Sequence, residues 1–148
     1  MIDRALVDDI TTCAVLHRVW PVQHSVIVAA RTVAAAAAAH AARGRDVLVV
    51  TDCEYRRRRL AWLVRARMPR EVYAWRGTHE GPTRREGRVI IEHDEAAIRG
   101  ITADAVIIWP GHRVNDATRH AAGLVRGRGG SPARHALLEH YTPHREMA

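Results

Sequence analysis

The densest run of charge in this sequence is Arg56-Arg57-Arg58-Arg59, followed by Arg65, Arg67 and Arg70. A guanidinium donates a planar fork of N–H groups that fits phosphate and carboxylate oxygens, so the chemistry on offer is polyanion binding. On a helix four consecutive residues spread over every face, and the run cannot point one way as a block. Arg84, Arg85 and Arg88, and farther on Arg126 and Arg128, are available to extend a phosphate-binding ridge. Trp75 beside Arg76 offers a stacking surface for an unpaired base, or else a core tryptophan. The alternative for the ridge is a solvated helix face whose arginines pair with Glu54 or Glu71.

A second constellation is Glu92-His93-Asp94-Glu95, three carboxylates and an imidazole at the C-terminal end of an expected strand. Such a group suits a hard divalent ion, and acid clusters serve metal-dependent nucleases. Asp94 and Glu95 also stand where they would cap and charge-match the helix that follows. Among the histidines, His135, His140 and His144 approach metal-ligand spacing, but Pro143 interrupts any helix that would align them. His112 and His120 are eight apart, which on one helix would place them on roughly one face. Ser25 and Ser131 are the only serines, and neither sits among the glycines of a nucleophile elbow. No metal or cofactor is expected.

The elements that must position these residues follow from hydrophobic patterning. Residues 3–18 carry apolar side chains at helical spacing after Asp3, and residues 1–20 are expected to form an N-terminal helix. Four short β-branched runs follow: Ser25–Val28, Asp46–Val50, Arg88–Ile91 and Ala105–Ile108. Runs this apolar belong to strands covered on both faces. Helices are expected over Thr32–Arg43, Cys53–Met68, the short stretch Asp94–Arg99, Val114–Val125 and Ala133–Tyr141, with a further strand at Glu71–Trp75. Residues 76–87 and 127–132 are Gly/Pro/Arg-rich loops, so 127–148 becomes a C-terminal loop and helix. In the helix expected over Cys53–Met68, Leu60, Leu63 and Val64 carry the buried stripe with Trp62 at its edge. The alternation predicts a single α/β domain over 1–148, a three-layer sandwich with a mainly parallel, Rossmann-like sheet.

Two segments resemble the ATPase core of P-loop motor proteins, most closely phage large terminase subunits and related helicase-like ATPases. In the first, Val26-Ile27-Val28-Ala29-Ala30-Arg31-Thr32 leads into the alanine-rich stretch Ala34–Ala42 and then Val47–Thr51. In the second, Arg99-Gly100 and Asp104 precede the apolar run Ala105–Ile108 and Trp109-Pro110. The resemblance implies a P-loop-like fold. It does not imply the activity, because a phosphate loop needs glycines and a lysine, and the corresponding residues are Ala29, Ala30, Arg31, Thr32 and Val33. Trp109 and Pro110 stand where Walker B carboxylates would hold magnesium. Arg31, Thr32 and Trp109 therefore mark a degenerate nucleotide site.

The 148 residues carry 23 basic against 16 acidic side chains, a formal charge of +7, and every basic residue is Arg. Lysine Schiff bases, lysine general bases and a P-loop lysine are excluded. Arginine and alanine excess is also what a GC-rich genome yields. Hydrophobic residues make up 47%, enough to exclude a disordered chain. Two cysteines, Cys13 and Cys53, form no CxxC, and free thiols in a cytoplasmic protein with no membrane partner are expected. The function expected is a non-enzymatic accessory factor of a phage or mobile element. It would dock on a partner protein or nucleic acid through Arg56, Arg57, Arg58, Arg59, Arg65, Arg84 and Arg85. The alternatives are a metal-dependent enzyme acting on nucleotides or nucleic acid through Glu92, Asp94 and Glu95, and a homo-oligomer packed through the alanine-rich helix.

Overall fold

The computed structural model describes residues 1–13, 15–68 and 87–140, the last without its side chain. Strands β1 (His17–Val22), β2 (Val47–Val50), β3 (Val89–Glu92), β4 (Ala105–Ile108) and β5 (Arg134–His140) form one sheet in the order β1-β5-β4-β2-β3. Every pairing is parallel. Helices α1 (Arg4–Thr12), α2 (Val26–Ala42) and α3 (Glu54–Arg65) cover one face, and α4 (Glu95–Ile98) and α5 (Asp116–Gly123) the other. The chain is thus an α/β three-layer sandwich. Among the described residues no helix is long and apolar enough to cross a membrane.

The central strands β2 and β4 are buried throughout, and their alternate residues supply both cores. Val47, Val49, Ala105 and Ile107 face α2 and its neighbours, whereas Leu48, Val50, Val106 and Ile108 face α5. This is why these runs lack polar alternation. Ala34, Ala36, Ala37 and Ala41 of α2 are completely buried, so their missing bulk brings α2 close to the sheet. That face is used within the chain.

Three expectations need correction. The helix expected over residues 3–18 ends at Thr12, and β1 follows it. Asp3 caps α1 through the N–H of Leu6, and His17, Val19 and Pro21 then alternate with the buried Trp20 and Val22. Pro21 lies on the outward side of an edge strand, where its missing N–H costs no ladder bond. The strand expected at Ser25–Val28 is the first turn of α2: Ser25 accepts from the N–H of Val28 at 3.2 Å. Capping and a continuous run into the alanines outweigh the β-propensity of Val26, Ile27 and Val28. The helix expected at Ala133–Tyr141 is β5 over its described length. Its Ala-Leu-Leu favours helix locally, but the segment lies between β1 and β4 and completes both ladders. The strand expected at Glu71–Trp75, the Trp75-Arg76 pair, Arg70, Arg84 and Arg85 all lie outside the described residues, as does His144.

A cluster of arginines ties α1 to the body of the fold. Arg43 and Arg45 both donate to the carbonyl oxygen of Thr11, at 2.9 and 2.7 Å, and Arg134 donates to that of Cys13 at 3.1 Å. Cations suit this position because α1 and α2 both end here, exposing the negative ends of their dipoles. His40, 1% exposed, accepts from Arg45 through Nδ1 at 3.1 Å. Burial, with the charges of Arg45, Arg134 and Arg43, lowers its pKa from 6.5 to about 3. On the same edge, a side chain at Gly87 would place Cβ 1.9 Å from the Arg45 carbonyl oxygen, so the return into β3 tolerates only glycine.

Because the unfolded chain binds the His40 proton more readily, the contribution of neutral His40 to stability is complete above pH 6.5 and is lost as pH falls toward about 3. The loss is expected to reach ~2 kcal/mol at pH 5. Urea unfolding at pH 7 and pH 5 measures it, and His40→Gln should flatten the difference. Ala37→Leu should cost about 1–3 kcal/mol in the same assay by overpacking α2 against the sheet.

Candidate functional site

In an open parallel sheet the C-terminal ends of the strands face a crevice where the chain changes direction. Here the change falls between β2, which continues outward to β3, and β4, which continues the other way to β5. Thr51-Asp52-Cys53 leave β2 at this crevice and enter α3, and Trp109-Pro110 leave β4 beside them. Arg56, one turn into α3, donates through Nε to Asp52 at 2.7 Å, and Thr51 donates to the same carboxylate oxygen at 3.2 Å. The Arg56 guanidinium lies 5.1 Å from the centre of the Trp109 ring. Trp109 is fully buried. Burial raises the pKa of Asp52, but the hydrogen bond and charge of Arg56 outweigh it and hold the carboxyl below its usual value. The switch point is filled by the chain's own cation, aromatic ring and carboxylate.

Glu54 gathers a second set of cations. Arg57 donates to both of its carboxylate oxygens, at 2.7 and 2.8 Å, Arg58 donates at 3.0 Å, and His93 at the end of β3 donates at 3.1 Å. The hydrogen bond from Arg57, with those from Arg58 and His93, brings the Glu54 pKa down to about 2. Glu54 also sits in the first turn of α3, where negative charge is favoured.

The arginine run is therefore divided by its helix. Arg56 and Arg57 lie inward on carboxylates, with side chains 17% and 23% exposed. Arg58, Arg59 and Arg65 are exposed on the outward face, Arg58 with its Nε on Glu54. On the same outward face stand Tyr55 and Trp62, 76% and 65% exposed. Positions 55, 58, 59, 62 and 65 recur at intervals of three and four, so aromatic rings and guanidinium groups alternate along one stripe. The sequence carried a signal for Trp62: it is two residues from both Leu60 and Val64, the buried positions of α3, and two helical residues are about 200° apart.

No family model, curated protein or solved structure matches this chain.

Arg31, Thr32 and Trp109 have three different surroundings. Arg31 is exposed on α2, while the buried Thr32 donates to the Val28 carbonyl at 2.8 Å and accepts from the N–H of Asp3 at 3.1 Å. The Thr32 hydroxyl thus pins α1 to α2. Glu92, Asp94 and Glu95 also take separate parts. Asp94 caps α4 through the N–H of Ala96 at 3.2 Å, Glu95 pairs with Arg99, and Glu92 ends β3 half-buried. Among the described residues no three metal-ligating side chains converge. A hollow of about 410 Å³ beside them is lined by His93, Asp94, Glu95, Asn115, Ala117 and Thr118. Asn115 caps α5 there through the N–H of Thr118 at 2.8 Å. His112 lies in a 3-10 turn and His120 in α5, so they do not share a helix.

Trp109→Ala should cost about 3–5 kcal/mol, because it empties a fully buried ring position in the core. Arg56→Ala should cost less but more than a surface arginine, since it leaves Asp52, 11% exposed, without its cation. Urea midpoints of the two variants against Arg59→Ala test the ranking.

Proposed function

We propose that this chain is a non-enzymatic binding protein that docks on nucleic acid, preferentially unpaired strands, through the outer face of α3. The observation that carries this reading is the alternation of Tyr55 and Trp62 with Arg58, Arg59 and Arg65 on one exposed helix face. Large aromatic side chains are rarely left this open in pairs, and an unpaired base presents a flat π surface to each of them. The guanidinium groups between the rings stand where they would neutralise the backbone that links stacked bases. A surplus of +7 favours the approach of any polyanion.

The resemblance to P-loop ATPases belongs to this proposal as a fold without its chemistry. The strand that enters α2 is β1, and the turn Gln23-His24-Ser25 between them holds no glycine to curl around a phosphate. At the far side of β5, β4 runs into the buried Trp109 under Arg56. A ligand at the switch point would have to displace that ring. Action as an accessory factor of a phage or mobile element fits a domain of this kind.

Fluorescence anisotropy with labelled single- and double-stranded oligonucleotides at several salt concentrations is the direct test. Binding is expected to favour single strands, and Trp62→Ala should weaken it by about 5- to 150-fold, the range that removing one base–aromatic stack produces. Arg58→Ala with Arg59→Ala should reduce the slope of log K against log salt by about 1.4, some 0.7 for each single-strand phosphate that is no longer neutralised. Absence of binding at low salt, or binding that ignores these substitutions, overturns the reading.

A further inference from the structure

On the face opposite α3 the sheet is only partly covered. Helices α4 and α5 pack on β2, β3 and β4, and the buried residues of that core include Leu48, Ile90, Val106 and Ile108. Beyond β4 no further helix covers this face among the described residues. The row His17, Val19 and Pro21 of β1 faces outward, with Val19 47% exposed, and Leu16 just before the strand is 50% exposed. Parallel sheets are ordinarily covered on both faces, so this strip lacks its layer among the described residues.

The strip has the shape and charge of a specific site. A groove of about 370 Å³ runs along it between α5 and β1, floored by Leu16, Ile108, Val125 and Leu137. Arg119 and Arg126 stand on its rim, and none of its lining residues is Asp or Glu. Arg119 is paired with Asp116 on its own helix, whereas Arg126 is exposed and has no carboxylate partner among the described residues. His17 and His135 add two imidazoles with ring centres 6.4 Å apart. The ring nitrogens of His135 lie 3.1 and 3.0 Å from the carbonyl oxygens of Ala133 and Ala122. Glu139, farther along β5, is the acidic residue of the same row and does not line the groove.

From this geometry we infer that the outer face of β1 and β5 binds an acidic amphipathic helix of a partner protein. The apolar floor takes the apolar stripe of that helix, and Arg119 and Arg126 meet carboxylates on its flanks. Two strands about 4.8 Å apart span roughly 10 Å, the diameter of one α-helix. The length of β5 corresponds to about 20 Å, which a helix of roughly 14 residues matches. Such a helix completes the missing layer. It leaves α3 free on the other side.

The test uses the full chain, isotopically labelled for NMR, and a synthetic peptide of about 14 residues with leucines at i, i+3, i+4 and i+7 and glutamates beside them. Amide shifts are expected in β1, β5, α5 and residues 124–133. A lysine-flanked version and a scrambled version should bind at least tenfold more weakly. Arg126→Glu and Val19→Glu are exposed changes whose folding circular dichroism verifies, and each should weaken the acidic peptide at least tenfold. Equal binding of the scrambled peptide, shifts confined to α3, or normal binding by both variants overturns the proposal. So does displacement of the peptide from these amides by an oligonucleotide, which would assign the face to nucleic acid. The α3 reading stands or falls separately, through Trp62→Ala.

Discussion

An all-parallel sheet must be covered on both faces, and the rest of this molecule is arranged around that demand. β2 and β4 bury every side chain, so each needs helices above and below. α2 meets the demand on one side with a nearly bulk-free alanine surface that lets 17 residues of helix lie close to the sheet. α5 meets it on the other side over β4 and its neighbours. Over β1 and β5, where no described helix covers that second face, the exposed Leu16 and Val19 show an apolar surface of the kind the rest of the sheet hides.

The arginines divide by position into distinct physical roles. Arg43, Arg45 and Arg134 close the C-terminal end of α1 through backbone carbonyls. Arg56 and Arg57 are held by Asp52 and Glu54, and Arg128 by Asp104 at 3.0 Å across the N-terminal edge of the sheet. Ionic contacts of this kind fix loop and helix positions more than they raise stability. A smaller set is exposed to a partner's reach, Arg58 (also on Glu54), Arg59 and Arg65 on α3 and Arg126 near β1. A net charge of +7 describes none of this sorting.

The candidate site was legible in its ingredients and not in its arrangement. Four consecutive arginines advertised a basic helix, and its apolar positions Leu60 and Val64 fixed which face was inward. That inward face also takes Arg56, because Asp52 and Trp109 wait there from two different strands, a meeting no local pattern encodes. Tyr55 and Trp62 would be expected in a core on hydrophobicity alone, and only their spacing from Leu60 and Val64 points them outward, where the docked helix leaves them 76% and 65% exposed. The acidic stretch at residues 92–95 shows the converse. Its sequence offered two roles, a metal cluster and service to the helix that follows, and the second is the one seen, with Asp94 capping that helix and Glu95 paired with Arg99.

By itself the sequence determined the α/β class, the strands β2, β3 and β4, and the placement of α2, α3 and the short helix after β3. Each of these rests on local physics: unbroken β-branched runs, an alanine tract, a cap followed by a helix former. Only the tertiary structure decided that His17–Val22 and Arg134–His140 are strands. The edge strand and its neighbour stabilise each other across more than a hundred residues of chain, from His17 paired with His135 onward. A segment such as Ala136-Leu137-Leu138 favours helix alone. It becomes a strand because the ladders on either side satisfy its backbone and bury its side chains, which local propensity cannot register.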